Sequence, residues 1–229
     1  MAAAAQLAEG ATPTWVLALR QTAGRGRRGR DWRDPPGNFA ATLALRPKGG
    51  VAQAALYSFV AALALYEALD GLTAGRARLA IKWPNDVLLN GGKVAGILLE
   101  SHGAGQGAAQ LLVGFGVNLT TAPDPGTLEP GAVAPVAVLP ETGVAIAPQD
   151  FLAPLADAFA RWQAQYETFG FAPVRTAWLA RAARLGERIT ARTGSDSRSG
   201  IFEGIDENGA LLLQTPEGRA SIAAADIFF

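Results

Sequence analysis

The stretch QTAGRGRRGRDWRDPPGNFA, residues 21–40, decides the fold class ahead of any other feature. Gly24, Gly26 and Gly29 reproduce the G-x-G-x-x-G spacing of a dinucleotide-binding turn, and the strand-like run TWVLALR (14–20) precedes them, as that turn requires. The turn must then open a helix, but RDWRDPPGN follows, with Pro35 and Pro36 where the helix would propagate. A second strand-like run, NFAATLALR (38–46), comes next. A doubly wound parallel sheet is therefore excluded. GGKVAG, farther along, likewise lacks the G-x-x-x-x-G-K-S/T spacing of a phosphate loop.

The rest of the chain supports an α+β fold whose sheet is mainly antiparallel. Residues 1–10 read as the end of a helix closed by Gly10. Residues 52–71 form a helix with Leu56, Phe59, Val60, Leu63, Tyr66 and Leu69 at three- and four-residue spacing and Gly71 as its stop. RLAIKWPNDVLLNGGKVAGILLE reads as strand, break at Pro84, short strand, Asn90-Gly91-Gly92 turn and strand; QLLVGFGVNLT (110–120) is one more strand. Residues 120–149 hold six prolines and read as a long surface loop. Residues 150–170 form a helix with Phe151, Leu155, Phe159, Trp162, Tyr166 and Phe169 on one side, Pro154 fitting only its first turn, and a second helix covers 173–185. Short strands joined by Gly, Asn and Asp turns then predict a small β-barrel. This divides the chain into a domain of residues 1–185 and a barrel of residues 186–229, too small to stand alone and so packed on the first.

Five arginines fall between Arg25 and Arg33 in a chain whose 20 basic and 20 acidic residues cancel. Such a focal charge differs from the spread-out neutralisation of a non-specific nucleic-acid binder. An RNA-binding Arg/Gly segment would repeat, and this one occurs once; the bland alternative is a charged surface hairpin. The reading that best fits is a loop whose glycines let backbone N–H groups approach an anion while guanidinium forks grip phosphate or carboxylate oxygens. The chain has no cysteine, which excludes disulfides, thiolate metal sites and Cys nucleophiles, and its one histidine, His102, reads as a solvated loop residue. The amino terminus lacks the marks of a secretory signal, and no run of eighteen apolar residues is free of a charge or turn former, so a cytoplasmic protein is expected.

KWPNDVLLNGGKVAGILLE carries the second constellation. Lys82 and Lys93 lie eleven residues apart across a hairpin that brings them to one side of a sheet, and Asn85 and Asp86 follow Pro84 in a loop suited to hydrogen bonding or to helping hold a metal ion. Gly96 within a strand suggests close approach of a ligand. Taken alone this is a lysine-flanked hairpin; beside the arginine loop it suggests a binding site for a small anion.

With these motifs in their order, QTAGRGRRGRDW, PPGNFAATLAL, KWPNDVLLNGGKVAGILLE, GFGVNL and GIDENGALLL, the chain closely resembles the biotin protein ligase family from about Trp15 to Phe229. The resemblance implies a class II synthetase-like biotin/lipoate ligase fold with a C-terminal SH3-like barrel. It also implies ATP and biotin as substrates, Mg²⁺ as the accompanying ion, and transfer through biotinyl-5'-AMP to a lysine of a biotin carboxyl carrier protein or domain. Gln21 resembles the family's residue beside the biotin rings. Gly24, Arg25, Gly26 and Arg27 resemble the loop that closes over biotin and its adenylate, and Arg30 a further loop arginine aimed at phosphates. Lys93 matches the lysine at the reacting carboxylate and α-phosphate and, with Arg27, is the implied catalytic residue; Gly96 and Leu98 would line the biotin pocket. Asn85, Asp86 and Asn118 match nucleotide-side positions.

Three departures accompany the resemblance. MAAAAQLAEG stands where the family has a Ser-Thr-Asn-like stretch donating to biotin, so those contacts are expected from residues ahead of this start or to be lost. Ala40 and Ala41 replace common aromatics, and no helix-turn-helix precedes the catalytic part, so neither DNA binding nor repression is expected. Membrane association is not expected either, and the resemblance leaves room for a homodimer. Two other readings stay open: a ligase for lipoate or another acid that passes through an acyl-adenylate, and a degenerate homologue that binds without turnover.

Overall fold

A computed structural model describes residues 1–7, 13–26, 29, 32, 35–102, 110–124, 126, 131–194 and 196–229. In chain order these form α1 (Ala2–Leu7), β1 (Thr14–Ala18), β2 (Phe39–Leu45), α2 (Val51–Ala55), α3 (Tyr57–Thr73), β3 (Leu79–Lys82), β4 (Asp86–Leu89), β5 (Gly92–His102) and β6 (Gln110–Val117). There follow α4 (Val138–Thr142), α5 (Pro148–Phe169), α6 (Phe171–Leu179), β7 (Arg188–Arg192), β8 (Ser197–Ile205), β9 (Leu211–Thr215), β10 (Gly218–Ile222) and β11 (Asp226–Phe228). The first six strands make one antiparallel sheet in the order β1-β2-β6-β5-β4-β3.

One face of that sheet is buried under α3 and α5, and α6 packs on those two helices and on β8. Phe39, Ala41, Leu43 and Leu45 alternate along β2 into the core, as do Leu111, Val113, Phe115 and Val117 along β6. Aromatic pairs lock the layers: Trp15 stacks on Phe115 at 5.4 Å between ring centres, and Phe39 meets Phe151 edge-on at 4.9 Å. The Tyr57 hydroxyl donates to Glu167 Oε1 at 3.0 Å, tying α3 to α5; burial and the adjacent carboxylate raise the Tyr57 pKa well above the ordinary tyrosine value. The segment Val51–Thr73 is apolar and long enough to cross a membrane, but in this fold it is the central core helix pair.

Several boundaries move from their expected places. Gly71 does not stop α3, because Thr73 still returns its hydroxyl to the Leu69 carbonyl at 2.8 Å; the helix ends at Ala74 and Gly75, both at positive φ. Residues 120–149 are not all loop. Residues 134–136 pair with Lys93, and α4 follows. α5 begins at Pro148, which places Pro154 inside the helix rather than in its first turn, and Phe169 lies exposed at its end instead of on the core side. α6 ends at Leu179, and Ala183 donates to Ile81 to extend the sheet at the β3 edge. Gly10 lies outside the described residues, and His102 is not in a loop but closes β5 opposite Gln110.

The C-terminal part is a five-stranded antiparallel sheet in the order β10-β9-β8-β7-β11, in keeping with the small β-rich domain expected. Its β8–β9 turn docks on the first part. The Trp83 indole N–H donates to the Gly209 carbonyl at 3.0 Å, and Gly209, at φ +80°, leaves no room for a side chain: a Cβ there would lie 2.5 Å from the Phe59 ring. Gly209→Ala is expected to cost about 1–3 kcal/mol through strain and overpacking, read as a fall in Tm of roughly 2–4 °C per kcal/mol. An unchanged melting curve would refute this account of the docking.

Candidate active site

The sheet face away from the helices is floored by small residues, and this follows from the register. Ala40, Gly116, Gly96 and Asp86 stand side by side on β2, β6, β5 and β4, with Lys82 beyond Asp86 on β3. The next row is Val16, Thr42, Gly114 and Leu98; the third is Thr14, Ala44, Leu112 and Glu100. Met1 and Ala5 of the α1 end pack on Ala44 and Leu112. Above the glycines lies a cleft of about 920 Å³ whose lining includes Gln21, Arg25, Trp32, Lys93 and Asn118 and reaches Asp226 of the C-terminal sheet.

A bulge aims Lys93 into this cleft. Strict alternation would send Lys93 and Gly96, three apart, to opposite faces. The ladder between β4 and β5 slips by one residue, so that Leu88 pairs with Lys93 and Val87 with Ala95, leaving Val94 extra. The backbone of Lys93 is clamped on its other edge, its N–H donating to the Ala134 carbonyl at 2.8 Å and its carbonyl accepting from Val136 at 3.0 Å. Its ammonium lies 2.7 Å from Asp86 Oδ1, while Lys82 Nζ stands 3.9 Å from the other Asp86 oxygen. Two lysines thus flank one partly buried carboxylate at one end of the cleft, where Asp226 also lines the wall.

The other expected residues divide by what their side chains do. Gln21, Arg25 and Gly26 line the cleft, with Gly96 and Leu98 on its floor. Gly24 stands behind the cleft wall: its carbonyl accepts from Trp32 N at 3.1 Å, and a Cβ on it would meet the Trp32 carbonyl oxygen at 2.4 Å. Asn85 lines the cleft but directs its amide to the Ile97 carbonyl, a clamp between the Pro84 turn and β5. Asn118 donates to the Val136 carbonyl at 3.0 Å, and its amide oxygen faces Asn38 Nδ2 at 3.5 Å. Arg27 and Arg30 lie outside the described residues.

Three residues of the site were not singled out from sequence. Trp32 lies across the paired glycines, so near that a Cβ on Gly116 would be 2.5 Å and one on Gly96 3.3 Å from its indole; Lys93 Nζ stands 5.8 Å from its ring centre. The signal available was Gly114 and Gly116, two apart in a strand and hence on one face. Asn38, just after the two prolines, accepts from Thr120 N at 3.0 Å and Thr121 N at 3.3 Å and donates to the Thr121 carbonyl at 2.8 Å, anchoring the arginine loop where it enters β2. Thr42 is the third.

A small-residue trough with two lysines at its end, and with Gln21, Arg25 and Trp32 in its lining, makes a candidate site for a small carboxylic acid and a phosphate group. Comparison with known proteins agrees. The model of the biotin/lipoate A/B protein ligase family matches residues 4–118, and that of the biotin protein ligase C-terminal domain matches residues 185–229. The chain is 67% identical over 216 residues to a biotin–acetyl-CoA-carboxylase ligase of Paracoccus denitrificans, covering 94% of this chain and 90% of that one. It is 33% identical over 215 residues to the bifunctional ligase/repressor of Bacillus subtilis, covering 93% of this chain and 65% of that protein. Its fold superimposes with a TM-score of 0.80 on the biotin protein ligase of Aquifex aeolicus solved with biotin and ATP, at 26% identity and over 98% and 93% of the two chains. The chain belongs to the biotin/lipoate protein ligase family.

Proposed function

We infer that this protein activates biotin with ATP and passes the biotinyl group to a lysine of a biotin carboxyl carrier protein. The observation that carries this reading is the glycine-floored trough ending at Lys93 and Asp86, in a chain so close to a named biotin ligase. In the first step a carboxylate oxygen of biotin attacks the α-phosphorus of ATP; the new O–P bond forms as the bond to the bridging oxygen breaks, and diphosphate leaves. An anion meeting a polyanion requires cations where charge accumulates. Lys93, held by its bulge and by residues 134–136, supplies one, and Arg27 and Arg30 are proposed to supply others.

In the second step the neutral amine of the carrier lysine attacks the acyl carbon, an amide forms, and AMP departs while the nitrogen loses a proton. Mg²⁺ is proposed to arrive on the triphosphate, where it supplies charge neutralisation. The Asp86 carboxylate and the Asn85 amide, both in the cleft lining, would offer such an ion the hard oxygen donors it takes. Asp86 and Asn85 are proposed to face the nucleotide and Gln21, Gly96 and Leu98 the biotin. The two-domain division at residues 185 and 186 and a cytoplasmic setting, where ATP and carrier proteins meet, belong to the same proposal. None of it calls on DNA, a membrane or a second copy of the chain.

The test is direct. Purified protein given ATP, Mg²⁺ and biotin should label a carrier domain and show biotin-dependent pyrophosphate exchange; absence of both overturns the reading. A thermal-shift comparison separates biotin from lipoate, because ligand at a hundred times its Kd stabilises the folded state by about 2.7 kcal/mol. Arg27→Gly is expected to release the adenylate faster while forming it at a rate closer to wild type, since Arg27 belongs to the loop proposed to shield the anhydride from water. Chasing trapped radiolabelled adenylate checks this, and equal lifetimes in the two proteins would refute it.

A further inference from the structure

An aromatic ring of the second sheet faces the lysine end of the cleft, and the two chemical steps above give it no part. β11 carries Asp226 and Ile227 into the cleft wall and pairs with β7, Phe228 lying opposite Thr190. Phe229 follows the strand. Its ring centre is 5.7 Å from Lys82 Nζ and 5.1 Å from the central guanidinium carbon of Arg184. Its backbone N–H donates to the Gly131 carbonyl at 3.3 Å, three residues ahead of Ala134, where the clamp on Lys93 begins. The ring is partly buried against the core. Leucine would supply similar apolar contact, so burial alone does not account for an aromatic residue facing two cations.

The state of Lys82 accounts for it. Its side chain is 13% exposed and lines the cleft, and its ammonium stands 3.9 Å from Asp86 Oδ2, whereas Lys93 reaches Oδ1 at 2.7 Å. Lys82 is therefore the looser of the two lysines on that carboxylate. A lysine stem is flexible and loses rotamer freedom when its head is fixed. The face of an aromatic ring attracts a cation within about 6 Å through its quadrupole and carries no net charge. Such a ring restricts the ammonium and leaves its charge for an arriving phosphate, which a second carboxylate in the same place would neutralise.

We propose that Phe229 is a positioning residue whose ring holds the Lys82 ammonium in place for the phosphates of the nucleotide. The inference rests on the reading above, in which ATP and biotin share the cleft, and goes beyond it by giving a residue of the second sheet a share in nucleotide use. Phe229 acts through Lys82, which belongs to β3 of the first sheet. Its loss should therefore be felt towards ATP and not towards biotin.

Steady-state pyrophosphate exchange on the full chain, with ATP and biotin varied in turn, tests this. Phe229→Leu keeps an apolar side chain and removes the ring; the KM for ATP should rise about fivefold, the scale of one cation–π contact, while the KM for biotin and the Tm hold. Phe229→Met, apolar and flexible enough to fill the same space, should behave alike, and Phe229→Tyr should restore the wild-type KM for ATP. In a Lys82→Met background Phe229→Leu should add nothing, because its effect passes through the lysine. Four results overturn the role of Phe229: a KM for ATP within about twofold of wild type in Phe229→Leu, no recovery in Phe229→Tyr, an undiminished leucine effect once Lys82 is replaced, or equal losses for ATP and biotin with a lowered Tm. Each of them leaves the biotin reading intact as long as the wild type turns over. Wild-type protein inert towards ATP and biotin overturns both.

Discussion

Lys93→Ala should lose adenylate formation by about a hundred- to a thousandfold in kcat, the range observed when one preorganised charge-stabilising donor is removed from a transition state. The expectation follows from how Lys93 is held. Its backbone is fixed on both edges by strand-like bonds, its side chain is aimed by the Val94 bulge, and its ammonium is 2.7 Å from Asp86. Little reorganisation is needed when an anion arrives. Stability should hardly change, because a partly exposed ion pair contributes about 0–1 kcal/mol and Lys82 stays within 3.9 Å of the same carboxylate. Biotin binding, measured by calorimetry, should weaken far less than kcat falls. Lys93→Arg should recover only part of the rate, since a planar fork does not reproduce a compact point charge. Pyrophosphate exchange at wild-type rate in Lys93→Ala would remove Lys93 from the chemistry.

The arginine loop and the Lys-Trp-Pro-Asn-Asp turn were legible in the sequence because their chemistry is local: charges, glycines and prolines crowd into short runs. The antiparallel class was legible for the same reason, since two prolines stand where a helix must begin. Residues defined by long-range register were not. β2 reads FAATLAL, and both its faces are buried, so no polar alternation betrays which side Thr42 takes. Trp32 could be seen as an aromatic in a basic loop, but its seat on Gly96 and Gly116 depends on two strands meeting in register. Residues 134–136 were hidden by Pro135 in a proline-rich stretch, which suggests loop although the segment pairs with Lys93. The end of α3 was missed because Leu69 and Thr73, two residues to either side of Gly71, are fully buried and carry the helix through it, a case of packing overriding propensity.

Gly116→Val should abolish useful biotin binding without unfolding the protein. Gly116 pairs with Gly96 across β5 and β6 and with Ala40 across β2, so the floor of the trough is three residues wide and almost without side chains. A Cβ on Gly116 would already be 2.5 Å from the indole of Trp32, and an isopropyl group would fill the depth the indole now occupies. A ring entering the trough must take that depth too, and the backbone beneath it, ladder-bonded on both sides, has no room to retreat. The expected result is a rise of at least a hundredfold in the Kd for biotin by calorimetry, about 2.8 kcal/mol. ATP should be affected less, because Lys93 on β5 and Asp86 on β4 lie one and two strands away from Gly116. The melting temperature should hold or rise, since a β-branched residue suits a central strand better than glycine does. A variant that folds and binds biotin as tightly as wild type would place the acid's ring elsewhere in the cleft and withdraw the glycine floor from the site.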